Sequence, residues 1–283
     1  MGLRREPTAR QRRLGAELRK LREAAGLRGR EAAELLGVSA AQITQIEVGL
    51  SGVSEQRLRQ MAANYACTDS KLIDALVVMA TSRSQGWWEE YQWQLPPSFL
   101  DIAELEHHST YRRDVEFLLI PGLLQTDGYA RAAFSSRIPE LPDREVDLRV
   151  QHRMQRKAIL ERANPVPYEA VLHEAALRIR VGDRVVARAQ LAHLLEHSDA
   201  EHITLRVIPF DLDNFGGAWS TLMLAGGAHP RLDTAVRDAP HGTPFIDSEA
   251  QLGVFRTLFR KVEEASLDPK RSRDVVHKLA KEL

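Results

Sequence analysis

Apolar residues in the first eighty positions recur at helical spacing in five short runs. Residues 10–25 carry Leu14, Leu18 and Leu21. Residues 30–36 carry Ala33 and Leu36, and residues 40–47 carry Ile43 and Ile46. Residues 54–65 carry Leu58, Met61, Ala62 and Tyr65, and residues 70–80 carry Leu72, Ile73, Leu76, Val77 and Ala80. The punctuation between runs agrees with this reading. Gly37 can take the positive φ that ends a helix, Val38 plugs the corner, Ser39 and Ser54 have the chemistry of N-caps, and Gly49 closes the third run. The stretch Arg28–Gly49 therefore predicts two short helices joined by a sharp turn. With Ile43 and Ile46 inward, the second helix leaves Ala40, Ala41, Gln42, Thr44 and Gln45 facing out. A helix so composed, behind a supporting helix of the same size, predicts a helix-turn-helix that enters a major groove.

Beyond position 80 the pattern becomes mixed. Thr81–Gly86 is small, polar and aperiodic, which places a boundary between a domain at 1–80 and a second at 81–283. Trp87, Trp88, Tyr91 and Trp93 follow at once. They form either an exposed binding surface, on which unpaired bases could stack, or a helix packed into the second core. Pro96-Pro97 ends that segment and another helix starts near Ser98, with Ile102 and Leu105 inward. Tyr111–Leu119 reads as a strand, Pro121-Gly122 as a turn, and Thr126 as the cap of a helix through Tyr129, Ala130 and Ala133.

Asp143–Arg162 is the longest helical stretch, with Val146, Val150 and Met154 on one stripe. Arg149, Arg153, Arg156 and Lys157 lie along another side, as a solvated face or as a grip for an acidic partner or DNA. Strands are expected at Tyr168–Leu172, through Ile203, Leu205 and Val207, at Ala218–Leu224 after the turn Gly216-Gly217, and at its neighbour Asp233–Val236. Helices are expected at Ala187–His197, at Gln251–Glu264 and from Asp268-Pro269 onward. The fold class that follows is an all-α five-helix head, then an α+β domain with a modest, mostly antiparallel sheet.

Composition sharpens this picture in one respect. The 283 residues, 43% of them hydrophobic, suffice for two cores, and the formal net charge is zero. That zero is an average. Residues 1–80 hold 13 Lys and Arg against 9 Asp and Glu, and residues 1–30 hold 10 against 3. A basic front suits a DNA-binding end, and the aperiodic residues 1–9 read as a disordered arm or one that reaches along DNA. The single cysteine, Cys67, rules out an internal disulfide and reads as a small core residue. No apolar run reaches the length of a membrane span, so a soluble, cytoplasmic protein is expected.

Candidate chemistry in the second domain is thin. His173-Glu174 opens like a zinc-protease helix, but position 177 is Leu, not the second His. His193 and His197 lie one helical turn apart, near His202, Glu196 and Glu201, without a clear third ligand; the adjacent His107 and His108 should point apart. A nucleophile elbow, a phosphate-binding glycine loop and a dinucleotide fingerprint are all missing. The expectation is a protein that is not an enzyme, with no catalytic residue, cofactor or metal.

Taken together, Gly26-Leu27, Glu31, Ala33, Leu36-Gly37-Val38-Ser39, Ile43, Ile46-Glu47 and Gly49 resemble the Cro/repressor-type (xenobiotic-response-element, XRE) DNA-binding domain. Gly29 departs from that pattern, which usually has a polar residue, often Gln, before the second helix. Further on come Gly86-Trp87-Trp88, Pro121-Gly122-Leu123-Leu124-Gln125-Thr126 and His173-Glu174-Ala175-Ala176-Leu177-Arg178, then Gln190-Leu191 and Val207-Ile208-Pro209. These resemble the actinobacterial Scr-type antitoxin-like regulators. The resemblance implies a transcription regulator, often encoded beside a small partner protein.

The sites expected are then specific. Ala40, Ala41, Gln42, Thr44 and Gln45 would read base edges; Arg28, Arg30, Ser39, Ser54 and Arg57 would hold phosphates. The partners are double-stranded DNA, a second copy of the chain, and a small-molecule effector or a small protein encoded nearby. The alternative role is an antitoxin-like interaction protein that sequesters that small protein and autoregulates.

Overall fold

The computed structural model describes residues 6–82, 86–213, 221–237 and 244–283. Its elements are α1 (Ala9–Ala24), α2 (Gly29–Leu36), α3 (Ala40–Glu47), α4 (Glu55–Asn64), α5 (Ser70–Thr81), α6 (Pro97–His107), β1 (Arg112–Glu116), α7 (Asp127–Ser135), α8 (Asp143–Arg156) and α9 (Ala158–Glu161). After these come β2 (Tyr168–His173), α10 (Glu174–Arg178), α11 (Arg184–His197), β3 (Ile203–Ile208), β4 (Leu222–Ala225), β5 (Thr234–Val236), β6 (Phe245–Ile246), α12 (Glu249–Ala265) and α13 (Pro269–Glu282). Helix starts obey residue chemistry: side-chain oxygens of Ser39, Ser54, Thr126 and Asp268 each accept a backbone N–H of the first turn. The turn Gly216-Gly217 and the start of the strand expected at Ala218–Leu224 lie outside the described residues.

Contacts divide the chain into two compact units. The first gathers the chain up to Gln92 together with Pro96–Leu105 and Ala228–Arg231; the second gathers Trp93–Leu95, Glu106–Gly227 and Leu232–Leu283. In the first, α1 to α5 bury Leu18, Leu21, Ala33, Leu36, Ile43, Ile46, Leu58, Met61, Leu72 and Leu76. Asp101 of α6 accepts the Ala9 N–H (2.9 Å) and an Arg12 N–H (3.1 Å), so a carboxylate sits at the electropositive start of α1. The aromatic cluster divides. Trp87–Tyr91 is a 3-10 turn that packs in this unit, with Trp88 and Tyr91 buried, whereas Trp93 stands 81% exposed at φ 73°.

The second unit is an α+β layer structure on a six-stranded sheet of order β3-β2-β1-β4-β5-β6. β1–β2 and β2–β3 are parallel, while β1–β4, β4–β5 and β5–β6 are antiparallel, so three pairings of five are antiparallel. One face carries Tyr168, Ala170, Leu172, Ile203, Leu205 and Val207 against Tyr129, Leu191, Leu194, Val276 and Leu279 of the flanking helices. The other carries Val115, Val171, Ile208, Leu222, Leu224 and Ala235 against Leu252, Phe255, Phe259 and Val262 of α12. At the β3 edge, the Val207 N–H donates to Ser272 Oγ (2.9 Å) and its C=O accepts the Leu267 N–H (2.8 Å).

Where β1 should present apolar side chains to the first of these faces it presents Arg112 and Asp114, both buried. Arg112 donates to both Asp114 oxygens (2.8 and 3.1 Å) and to Glu106; Arg156 of α8 donates to both Glu106 oxygens (2.7 and 2.6 Å). Tyr168 Oη donates to Asp114 at 2.6 Å. Two carboxylates and two guanidiniums thus close a neutral set. Burial pushes the Glu106 carboxyl up, but Arg156 and Arg112 outweigh it and hold it below the usual carboxylate range.

The basic side of α8 accordingly faces inward. Arg149, Arg156 and Lys157 are only 7–9% exposed, and Arg153 donates to Gln125 (2.6 Å) with its guanidinium 4.3 Å from the Phe134 ring. The face is neither solvated nor open to a partner, because α8 packs on α7 and on the 3-10 turn Gly122–Leu124.

Removing one member of the neutral set strands the others. Glu106→Ala is expected to cost about 3–5 kcal/mol, read as a lower urea midpoint at unchanged slope; a loss below about 1 kcal/mol would show that water substitutes for the carboxylate. A second expectation concerns His193, whose Nε2 lies 3.2 Å from the Lys157 ammonium. Burial, then Lys157 and His197, push its pKa down to about 4. The folded value lies below the unfolded one, so the stability from the neutral ring is complete above about pH 6.5 and is lost as pH falls toward 4. His193→Gln should flatten that part of the stability–pH curve, measured by thermal midpoint at pH 7 and 5.

Candidate nucleic-acid interface

The helix-turn-helix starts from the turn. Gly37 at φ 63° ends α2, and Val38 N–H closes back on the Ala33 carbonyl at 3.0 Å. Ser39 then caps α3 through the Gln42 N–H (3.2 Å). Ile43 and Ile46 are buried, which fixes the rotation of α3 and leaves Ala40, Ala41, Thr44 and Gln45 exposed and Gln42 half-buried. The Thr44 hydroxyl donates to the Ala40 carbonyl at 3.1 Å, so this residue offers its methyl outward.

Sequence reasoning passed over the device that holds α3. Glu47, its last residue, accepts from Arg22 Nε (2.6 Å) and Nη2 (2.9 Å), and Arg22 Nη1 donates to the Leu27 carbonyl (2.7 Å). A carboxylate at a helix C-terminus opposes the helix dipole, and the bidentate guanidinium offsets it. The nearby Tyr65 hydroxyl is pushed up to about 12, by burial first and then by Glu47. Close approach does the rest: a Cβ at Gly15 would lie 2.5 Å from the Glu47 carbonyl oxygen, and one at Gly49 2.8 Å from the Gln11 backbone. Only glycine at position 15 lets α1 lie flat on the end of α3. The 25-residue separation of Arg22 and Glu47 hid the pair, although two glycines and a charge at helix ends were the available signal.

The phosphate candidates sit at helix starts. Arg28 precedes α2 and Arg30 lies in its first turn, both exposed; Arg57 lies in the first turn of α4, half-buried. The Arg28 backbone N–H donates to Glu31 (2.5 Å), but none of the three guanidiniums has a carboxylate partner among the described residues, whereas Arg19, Arg22 and Arg59 are committed to Glu23, Glu47 and Glu55. Ser39 and Ser54 use an oxygen lone pair for capping, which leaves each hydroxyl proton able to donate outward. A Cβ at Gly29 would meet nothing within 4 Å. Cys67 lies half-buried in the turn after α4, its N–H on the Ala62 carbonyl (2.9 Å), and not on the helix itself.

Two of the described histidines stand close together beside a lysine. His193 and His197 rings are 4.2 Å apart, but Lys157 occupies the neighbouring position, and a buried ammonium repels a cation. No group of three His, Cys, Asp or Glu suited to a metal occurs among the described residues, and no described helix is long and apolar enough to cross a membrane.

Comparison with known proteins gives two matches. The family model described as Helix-turn-helix domain matches residues 13–76. The model described as Domain of unknown function (DUF5753) matches residues 99–278. No curated protein and no solved structure matches the chain.

Two glycines of the first unit should respond in opposite ways. Gly15→Ala is expected to destabilise by about 1–3 kcal/mol through overpacking against the α3 carbonyls. Gly29→Ala, in open space, should be neutral or slightly stabilising. Denaturant midpoints of the two variants measure the contrast.

Proposed function

This chain belongs to the DUF5753 family, here carried behind a helix-turn-helix DNA-binding head, and from that footing we propose a sequence-specific, homodimeric transcription regulator. Residues 1–80 are the proposed DNA-binding domain and residues 81–283 the domain that dimerises and senses an effector. One observation carries the reading: α3 exposes small and amide side chains on a support locked by Arg22–Glu47, while Arg28, Arg30 and Arg57 keep their charges uncommitted.

In the proposed mechanism Arg28, Arg30, Arg57 and the capped helix starts at Ser39 and Ser54 grip phosphates and set register. Gln45 and Gln42 hydrogen-bond base edges, and the methyls of Ala40, Ala41 and Thr44 pack against thymine. A single head offers little surface, so two copies on half-sites about one helical turn apart supply the affinity.

The test is anisotropy binding to the chain's own upstream DNA, with light scattering for the copy number on the complex. Gln45→Ala should relax preference at one base pair per half-site, by about 1–3 kcal/mol. Arg28→Ala should weaken all sequences alike and lower the slope of log K against log [salt] by about 0.9 per copy. Unchanged preference in Gln45→Ala, or one copy on DNA, would sink the respective part. If specific binding appears only with the product of a neighbouring short gene, the antitoxin-like role resembling the actinobacterial Scr-type group takes precedence.

A further inference from the structure

We infer that the second unit carries a small-oxyanion site where the end of α8 meets the last turns of α11, with the Lys157 ammonium as its anchor. Lys157 is only 9% exposed and is the one buried lysine among the described residues. Its Nζ lies 3.2 Å from His193 Nε2, and no carboxylate among the described residues forms an ion pair with it. An ammonium has three N–H donors, so two are left without a protein partner among the described residues.

The neighbours add to the same sign. His197 stands one turn beyond His193, the rings are 4.2 Å apart, and both are half-buried. His202, just before β3, has its Nε2 buried with no hydrogen-bond partner among the described residues, while its carbonyl accepts the Tyr168 N–H at 2.8 Å. Burial first, and then Lys157, push the His193 and His197 rings toward the neutral form, and His202 adds to this at His197. The opposing carboxylates Glu161, Asp127 and Glu196 are exposed and act without an ion pair to Lys157.

A buried donor without a partner is costly, a charged one most of all. One oxyanion against Lys157 would answer both remaining N–H groups and favour the protonated rings that otherwise repel the ammonium. Two donors on one nitrogen, with an imidazole beside them, call for more than one acceptor oxygen, hence a carboxylate or a phosphate. The basic side of α8 is closed to a macromolecule, so the group is one of few atoms. This gives the effector of the proposed regulator a chemical class, and only that role rests on the DNA-binding reading.

The experiment uses the full chain without DNA, so its failure is separate from failure of DNA binding. Histidine ring NMR signals are followed at pH 6 as sodium phosphate or sodium acetate is added, against sodium chloride at matched ionic strength. One or both oxyanions should move the His193 and His197 signals saturably and shift their midpoints to higher pH, the tighter naming the head group. Lys157→Met, which keeps an apolar stem and loses the charge, should weaken binding about tenfold. His202→Gln should also weaken it and decides the matter if Lys157→Met alters the circular dichroism; Lys261→Met, exposed on α12, should change nothing. An equal response to chloride, the absence of a saturable shift, or unaltered affinity in a folded Lys157→Met would overturn the assignment.

Discussion

The second unit depends on a neutral set of four charges where a sheet would ordinarily be greasiest. Arg112 and Asp114 project from β1, between the parallel and antiparallel halves of the sheet, and only Glu106 and Arg156 make that tolerable. Burying such ions is costly one at a time and affordable only as a closed group. The consequence is positional: Glu106 at the end of α6 and Arg156 on α8 have one arrangement relative to β1 in which every charge is answered. An apolar contact would allow sliding; this one does not.

The head uses a smaller version of the same logic. Arg22 and Glu47 join the last turn of α1 to the end of α3, and glycines at 15 and 49 remove the side chains that would hold the helices apart. Apolar packing by Ile43 and Ile46 sets which side of α3 faces out, and the ion pair sets how far along α1 it sits. Orientation and register are thereby fixed by different kinds of interaction.

Much of this was legible in the chain. The five helices of the head follow from period and caps, because each has a buried stripe and four of them a side-chain N-cap (Thr8, Ser39, Ser54 and Asp69), α2 alone lacking one. The sheet strands were found where alternation was clean, as in Ile203–Ile208, but β6 has two residues and no pattern can betray it. The polarity rule failed on α6 and α8, where acidic and basic residues occupy core positions: Asp101, Glu106, Arg149 and Arg156 look like surface residues until their partners, up to 92 positions away, are known. The parallel pairing of β1, β2 and β3 was hidden for a related reason, since Arg112 and Asp114 break the continuous apolar run that parallel strands usually show.

The sealed edge at β3 bears on assembly. With both main-chain groups of Val207 occupied by Ser272 and Leu267, an incoming strand would meet that margin already interrupted at Val207. The opposite margin ends in the two residues of β6. The sheet is therefore a terminated lattice at one end and nearly so at the other. A backbone ladder would accept almost any strand, and the described sheet leaves it little to grow from at either margin.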